Sequence, residues 1–292
     1  MLNYWWVTRP KRKLDSIPAV LACCAAVAQS CEWQGNTYTH LQFEEELEKR
    51  GLKRVGERKD QRGGGGGRTY FVWLSSLGLV FIQEETGMVK LTLAGEAIVS
   101  GKQPEEVLKN QVLKYQFPSP FSLSVSSSKT RVTERFKIRP FRFLLKLLCD
   151  KRIGCYLTQE EVGRVVAVEA SDETTEIYEK VINRILAYRE EGIASLSDDF
   201  FTQYAPSTGK VNIIHPYSHL DDLANTLINW LDYTGLIARA EGRIMIAPGK
   251  ENEVVSIIHD NTPLIDGAES QEAFQRKYGL DLKHKEDLRS FD

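Results

Sequence analysis

The stretches Trp73-Leu74-Ser75-Ser76-Leu77-Gly78-Leu79 and Trp230-Leu231-Asp232-Tyr233-Thr234-Gly235-Leu236 place Trp, Leu, Gly and Leu at identical spacing. Each follows a helix-favouring run and leads into a β-hairpin pattern. A glycine just past the last apolar-periodic residue is a common way for a helix to stop, because glycine enters the left-handed conformation without a Cβ penalty. The aromatic anchor, the stop and the β-favouring residues beyond it define one corner. Its recurrence predicts two copies of one architectural unit.

The surroundings of the first corner extend the pattern. Leu14 to Ala28 is an apolar, helix-favouring run. Thr39 is the expected N-cap of a helix over Leu41–Arg50, with Gln42 completing a capping box and Gly51 as the stop. A basic, glycine-rich loop from Lys53 to Arg68 follows, then a third helix over Thr69–Leu77. Strands are expected at Leu79–Gln83 and Met88–Thr92, joined by a turn at Glu84–Gly87. Three helices followed by a two-stranded wing predict a winged helix-turn-helix, whose third helix can enter the major groove of DNA. Before the second corner, helical patterns run at about Pro140–Asp150, Gln159–Ala167, Glu173–Glu191 and Leu220–Tyr233. The second hairpin is expected at Ile237–Ala240 and Arg243–Ile246. The predicted fold class is mainly α with small β-hairpins (α+β), in tandem winged helix-turn-helix-like subdomains. The expected division is a first subdomain over 1–118, a basic Ser-rich linker over 119–139, a second subdomain over 140–260 and the start of a further linker over 261–292, in which Ser270–Tyr278 reads as a short helix.

Net charge is only −2, yet its distribution is uneven. Residues 1–152 hold 25 Lys and Arg against 15 Asp and Glu; residues 153–292 hold 13 against 25. A basic half that meets a polyanion is the reading this asymmetry invites. The cationic positions it assigns to DNA are Arg9, Lys11, Arg12 and Lys13 near the N-terminus, Arg58, Lys59, Arg62 and Arg68 in and after the glycine-rich loop, and Lys90, Lys114, Lys129, Arg131, Arg135 and Arg139 beyond it. Thr69, Tyr70 and Tyr115 join them as polar or aromatic contacts. The five cysteines form no CxxC pair, so neither a zinc ribbon nor a disulfide framework is indicated. No apolar run reaches the roughly 18 residues of a membrane span, and the N-terminus does not read as a signal peptide. A cytoplasmic protein without a membrane partner is expected.

Other constellations carry little chemistry. Gly63–Gly67 is followed by Arg68-Thr69-Tyr70, not by the Gly-Lys-Ser/Thr of a phosphate loop. His215 and His219 have the spacing of metal ligands on a helix, but Pro216 lies between them. A restriction-type nuclease needs a carboxylate and then an acid-x-Lys on a strand, to hold Mg²⁺ and orient the attacking water. Glu57-Arg58-Lys59 and Asp281-Leu282-Lys283 fit the tripeptide, and chance alone gives about two to three in such a sequence. No catalytic or metal-binding residue is therefore assigned. A complete small nuclease using Asp266, Asp281 and Lys283 is one alternative; a winged-helix transcriptional regulator, usually a dimer on a palindrome, is another.

Tyr4-Trp5-Trp6-Val7-Thr8-Arg9-Pro10-Lys11-Arg12-Lys13 resembles the opening of AlwI-type restriction endonucleases. Thr69-Tyr70-Phe71, Leu91-Thr92-Leu93-Ala94-Gly95, Leu113-Lys114-Tyr115-Gln116-Phe117-Pro118-Ser119, Arg139-Pro140-Phe141-Arg142-Phe143-Leu144 and Tyr233-Thr234-Gly235-Leu236 are similar to the recognition region of BstNBI-type nicking endonucleases. The resemblance implies an N-terminal module that reads a short asymmetric site in double-stranded DNA as a monomer. It also implies that cleavage belongs to a C-terminal domain of restriction-endonuclease fold, or to a second nuclease subunit. The chain is expected to stop before that domain, inside a linker. Mg²⁺ is implied for the full-length nuclease, and no cofactor for these residues.

Overall fold

The computed structural model describes residues 2–55, 63–120, 132–206, 212, 214–265 and 270–280. Among the described residues the chain is mostly helical with two small antiparallel sheets, an α+β fold. Among the described residues no helix is long and apolar enough to cross a membrane.

The chain divides into two compact units, each assembled from distant segments. Unit A comprises Thr8–Val112 with Ile265–Asp292; unit B comprises Met1–Val7 with Leu113–Leu264. These boundaries differ from those expected. The first residues leave the segment they adjoin, and part of the stretch 261–292, expected as linker, returns to unit A. The charge split also fails to follow the units: A holds 20 Lys and Arg against 20 Asp and Glu, and B 18 against 20. The basic half of the sequence is thus not a basic unit.

Unit A opens with α1 (Ile17–Val27), which carries Pro at its first turn, where a missing N–H costs nothing. In α2 (Thr37–Lys49) the Asn36 side chain accepts from the Thr39 backbone N–H, 3.1 Å. Asn36 rather than Thr39 is therefore the cap, and the helix starts earlier than the Thr39 capping box predicted. α3 (Gly65–Ser76) is followed by β1 (Val80–Ile82) and β2 (Val89–Leu91), paired with Phe81 opposite Lys90. The chain between α1 and α2 pairs with β2: Ser30 N–H donates to Val89 O and Val89 N–H to Cys31 O. Thr92 caps α4 (Leu93–Val99), and a Cβ at Gly95 would fall 2.1 Å from Leu79 O, so only glycine lets this helix lie so close to the corner. α5 (Pro104–Lys114) follows.

In unit B, α6 (Pro140–Leu148) leads to β3 (Leu157–Thr158), whose Thr158 forms a reciprocal capping box with Glu161 at the start of α7 (Gln159–Glu161). The helix continues as a π-turn over Val162–Val166 into α8 (Ala167–Glu169). Next come α9 (Thr175–Glu191), the short α10 (Phe200–Gln203) and α11 (Ser218–Tyr233). β4 (Ile237–Ala240) and β5 (Arg243–Ile246) form the predicted hairpin, with β3 on the far side of β5. α12 (Glu251–Ile258) closes the unit. The N-terminal residues complete its core: Trp5 is fully buried, its backbone N–H donates to Ala167 O and its indole N–H to Ala170 O at 2.7 Å.

The two sequence corners share one geometry. Trp73, Leu74 and Leu79, and Trp230, Leu231 and Leu236, are all fully buried. Gly78 and Gly235 sit at φ +73° and +67°. In each unit the strand following the glycine pairs with a second, which also pairs with chain from before the preceding helices.

Finally, α13 (Gln271–Tyr278), capped by Ser270, packs against β1 of unit A. Fully buried Gln275 donates from Nε2 to Ser75 O (2.6 Å) and Val80 O (2.8 Å). Gln111 donates from Nε2 to Leu77 O and Tyr278 O, and the Tyr278 hydroxyl donates back to Gln111 O. The segment expected as linker thus inserts into the first corner.

Candidate nucleic-acid interface

The glycine run is where the sequence expectation and the structure differ most usefully. Gly65–Gly67 are not loop but the first turn of α3, with Gly64 as a left-handed cap at φ +67°. A Cβ on Gly64 would meet His40 Cβ at 2.3 Å, one on Gly66 would meet Glu44 Oε1 at 2.5 Å, and one on Gly67 would meet His40 O at 2.4 Å. These glycines let the start of α3 rest directly on α2. Arg58, Lys59 and Arg62 lie outside the described residues.

Glu44, 4% exposed, fills the resulting helix N-terminus. It accepts from Gly66 N–H (3.2 Å) and Gly67 N–H (3.4 Å) and pairs with Lys53 at 2.9 Å. The orphan N–H groups that could have held a phosphate already hold a carboxylate. His40 packs beside them against Trp33, and burial pushes its pKa down. The sequence signal for Glu44 was its place in the stripe His40, Phe43, Glu44, Leu47, an acid on the buried face of an amphipathic helix.

That packing turns Arg68 and Thr69 outward. Both are exposed, and both side chains are held locally: the Arg68 guanidinium donates to Gly63 O and the Thr69 hydroxyl to Gly65 O at 3.0 Å. Tyr70 is not with them. It is buried with its ring edge-on to Trp73 and its hydroxyl donating to Leu52 O, and burial raises its pKa. The exposed face of α3 is thus confined to its first turns; beyond Thr69 the helix is largely core. Arg12 and Lys13 are exposed, Arg9 and Lys11 half-buried, and Lys90 half-buried on β2.

The cationic residues of unit B are placed differently. Tyr115 is fully buried among Phe141 and Trp230, its hydroxyl donating to Trp6 O, so it belongs to the core. Lys114 is half-buried. Arg135 donates to Asn3 Oδ1 and O and to Val168 O, and burial lowers its pKa. Arg139 makes a forked pair with Glu173 and donates to Thr262 O. These two arginines fasten chain segments together. Lys129 and Arg131 lie outside the described residues.

The helices preceding the two hairpins also differ in charge. Where α3 offers Arg68 and Thr69, the open side of α11 carries Asp222, Asn225, Asn229 and Asp232. Arg239 from β4 is drawn onto it, 2.9 Å from Asn229 Oδ1 and 3.1 Å from Asp232. His215 is exposed, and His219, in the first turn of α11, hydrogen-bonds Tyr204 O through Nε2. Among the described residues no group of three His, Cys, Asp or Glu could hold a metal; Asp266, Asp281 and Lys283 lie outside them.

No curated protein matches the chain in sequence. Among solved structures, the BpuJ1 endonuclease binding domain, crystallised in complex with pyrene- and phenanthrene-modified DNA, superposes with a TM-score of 0.59 at 15% identity, over 98% of this chain and 93% of that one. That likeness establishes a common fold. The profile of the AlwI restriction endonuclease family matches residues 75–287, from the end of α3 through α13 and beyond. The chain belongs to the AlwI restriction endonuclease family.

Proposed function

We propose that this chain is the sequence-reading part of a restriction endonuclease, and that unit A reads base edges in duplex DNA with the first turns of α3. The observation that carries the reading is the outward placement of Arg68 and Thr69 on the helix that precedes the β1–β2 hairpin. The order of three helices and a hairpin, with an extra strand segment joining β2, supports a winged-helix reading. In that architecture the third helix enters the major groove. An arginine there can pair bidentately with guanine, and a threonine can contact either a base edge or a thymine methyl. Arg12 and Lys13 supply backbone contacts of the kind that position without specifying. The DNA-bound structural neighbour supports a DNA partner.

The two units present unlike faces, Arg68 and Thr69 against Asp222 and Asp232. A single chain of this kind lacks the two-fold symmetry that matches a palindrome, which supports monomeric reading of an asymmetric, type IIS-like site. Cleavage, and the Mg²⁺ it would require, fall to residues or a domain outside those described.

The test is a selection from random duplexes followed by binding of Arg68→Ala to the selected and a scrambled duplex at one salt concentration. A base contact costs about 1–3 kcal/mol on the selected site and little on the scrambled one. Equal losses on both would make Arg68 a backbone contact and move the reading surface elsewhere.

A further inference from the structure

Unit B contains a cavity of about 210 Å³ that duplex reading by α3 does not use. It opens where the π-turn meets α9 and α10. π-Turns interrupt α-helices often at functional positions. Here the turn carries Arg164, whose guanidinium lies 4.6 Å over the Tyr217 ring and is matched by Asp221 at 2.9 Å and Glu160 at 3.1 Å.

The charge around the cavity is not balanced in the same way. Glu169 is shared by Lys180, at 2.8 Å, and Arg184, at 3.6 Å. One carboxylate answers two cations, and both cationic side chains are about half exposed at the rim. Deeper in, Tyr204 is 8% exposed and tilts against Phe200 with ring centroids 4.7 Å apart. Among the described residues its hydroxyl makes no hydrogen bond, and it is not among the oxygens shut off from solvent, so it is open to a ligand entering the cavity. Burial and, after it, the Glu169 carboxylate raise its pKa, and the phenol is in any case protonated at neutral pH. Two cations, one available hydroxyl and a ring-lined wall are what a phosphate attached to a sugar or base requires.

We propose that this cavity binds the phosphate group of a nucleotide, with Lys180 and Arg184 on the phosphate oxygens, the Tyr204 hydroxyl donating to one of them, and the Phe200 and Tyr204 rings against the attached sugar or base. The phosphate comes either from a free mononucleotide or from the backbone of bound DNA. Only the second source rests on the duplex-binding reading above.

The test titrates dCMP, and separately inorganic phosphate, into the full chain by calorimetry, and measures the salt dependence of duplex binding. The variants are Lys180→Ala/Arg184→Ala and Tyr204→Phe. The first pair is at the rim, so folding is preserved and is checked by circular dichroism. Saturable dCMP binding that weakens at least tenfold in the double variant and severalfold in Tyr204→Phe supports the proposal with a free nucleotide as source. No dCMP binding, but a duplex salt slope reduced by about 1–2 in the double variant, supports it with DNA as source. If dCMP and phosphate bind no better to the parent than to the double variant, and the duplex slope is unchanged, the proposal is overturned. A parent chain that binds dCMP but no duplex would overturn the duplex reading and leave the pocket standing.

Discussion

Replacing Gln275 with alanine tests whether the returning helix is part of unit A or merely lies on it. The Gln275 amide makes two buried hydrogen bonds, to Ser75 O and Val80 O. Each is worth about 1 kcal/mol net. Truncation also removes one methylene and the amide from a fully buried position, about another 1 kcal/mol. Two features soften the loss. Ser75 O keeps the Gly78 N–H as a partner. Gln275 Oε1 is itself buried without a partner, and removing it returns about 1 kcal/mol. The net expectation is a loss of about 2 kcal/mol. Amide hydrogen exchange by mass spectrometry over peptides spanning 65–91 measures the opening free energy of the corner directly. Gln271→Ala, on the exposed side of the same helix, is the control and should change it by less than about 0.5 kcal/mol. If Gln275→Ala also stays within about 0.5 kcal/mol, the helix is not part of the cooperative core of unit A and the reasoning fails.

Three further outcomes are expected. Gly67→Ala should destabilise unit A by about 1–3 kcal/mol, because the new Cβ overlaps His40 O and overpacking outweighs the roughly 1 kcal/mol gained in helix propensity; Gly63→Ala, which meets open space, should be near neutral in the same urea titration. Arg135→Ala should cost unit B about 2–3 kcal/mol through the lost Asn3 and Val168 contacts, while selected and scrambled duplexes keep their affinity ratio when matched for folded protein. Hydrogen bonding to Arg152 pulls the Asp150 carboxyl down from 3.8 to about 2. Its contribution is present above the usual carboxylate pKa and is lost as pH falls from about 4 through about 2. With Arg152 half exposed, it amounts to about 1 kcal/mol after screening, and Asp150→Asn should flatten acid unfolding across that window.

Local rules made much of the fold legible. The two Trp–Gly–Leu corners, the second hairpin and the helix ending at Tyr278 follow from periodicity and glycine stops, which act within a few residues. What stayed hidden depends on partners far away in the chain. Nothing near Gln275 announces Ser75, and nothing near Trp5 announces Ala170. The cationic positions were harder. Arg135, Arg139 and Arg68 look alike as letters, but two fasten carbonyls and carboxylates within unit B and one faces outward. Tyr70 stands near the start of the third helix and Tyr115 follows Lys114, positions that suit DNA contacts, yet both rings lie in the core; a tyrosine carries both a polar tip and an apolar body, and its place in the sequence does not say which one faces outward. The glycine run read as a flexible loop because glycine serves both mobility and close approach, and only the neighbouring helix decides between them.

The two discontinuous units also set an order of events during synthesis. A ribosome emits Trp5 long before its partners Ala167 and Ala170, which emerge with and just after α8. The helices of unit A appear next, and the α13 residues that bond to their corner come last. At about 5–20 residues per second, the corner after α3 waits many seconds with Gln111 lacking its Tyr278 partner. Unit B, whose last described helix α12 is complete before α13 is translated, is free to close earlier. Unit A, whose first helices are made before nearly all of unit B, is therefore the later of the two units to finish, and a nascent chain halted before Gln271 would expose that corner to chaperones and proteases.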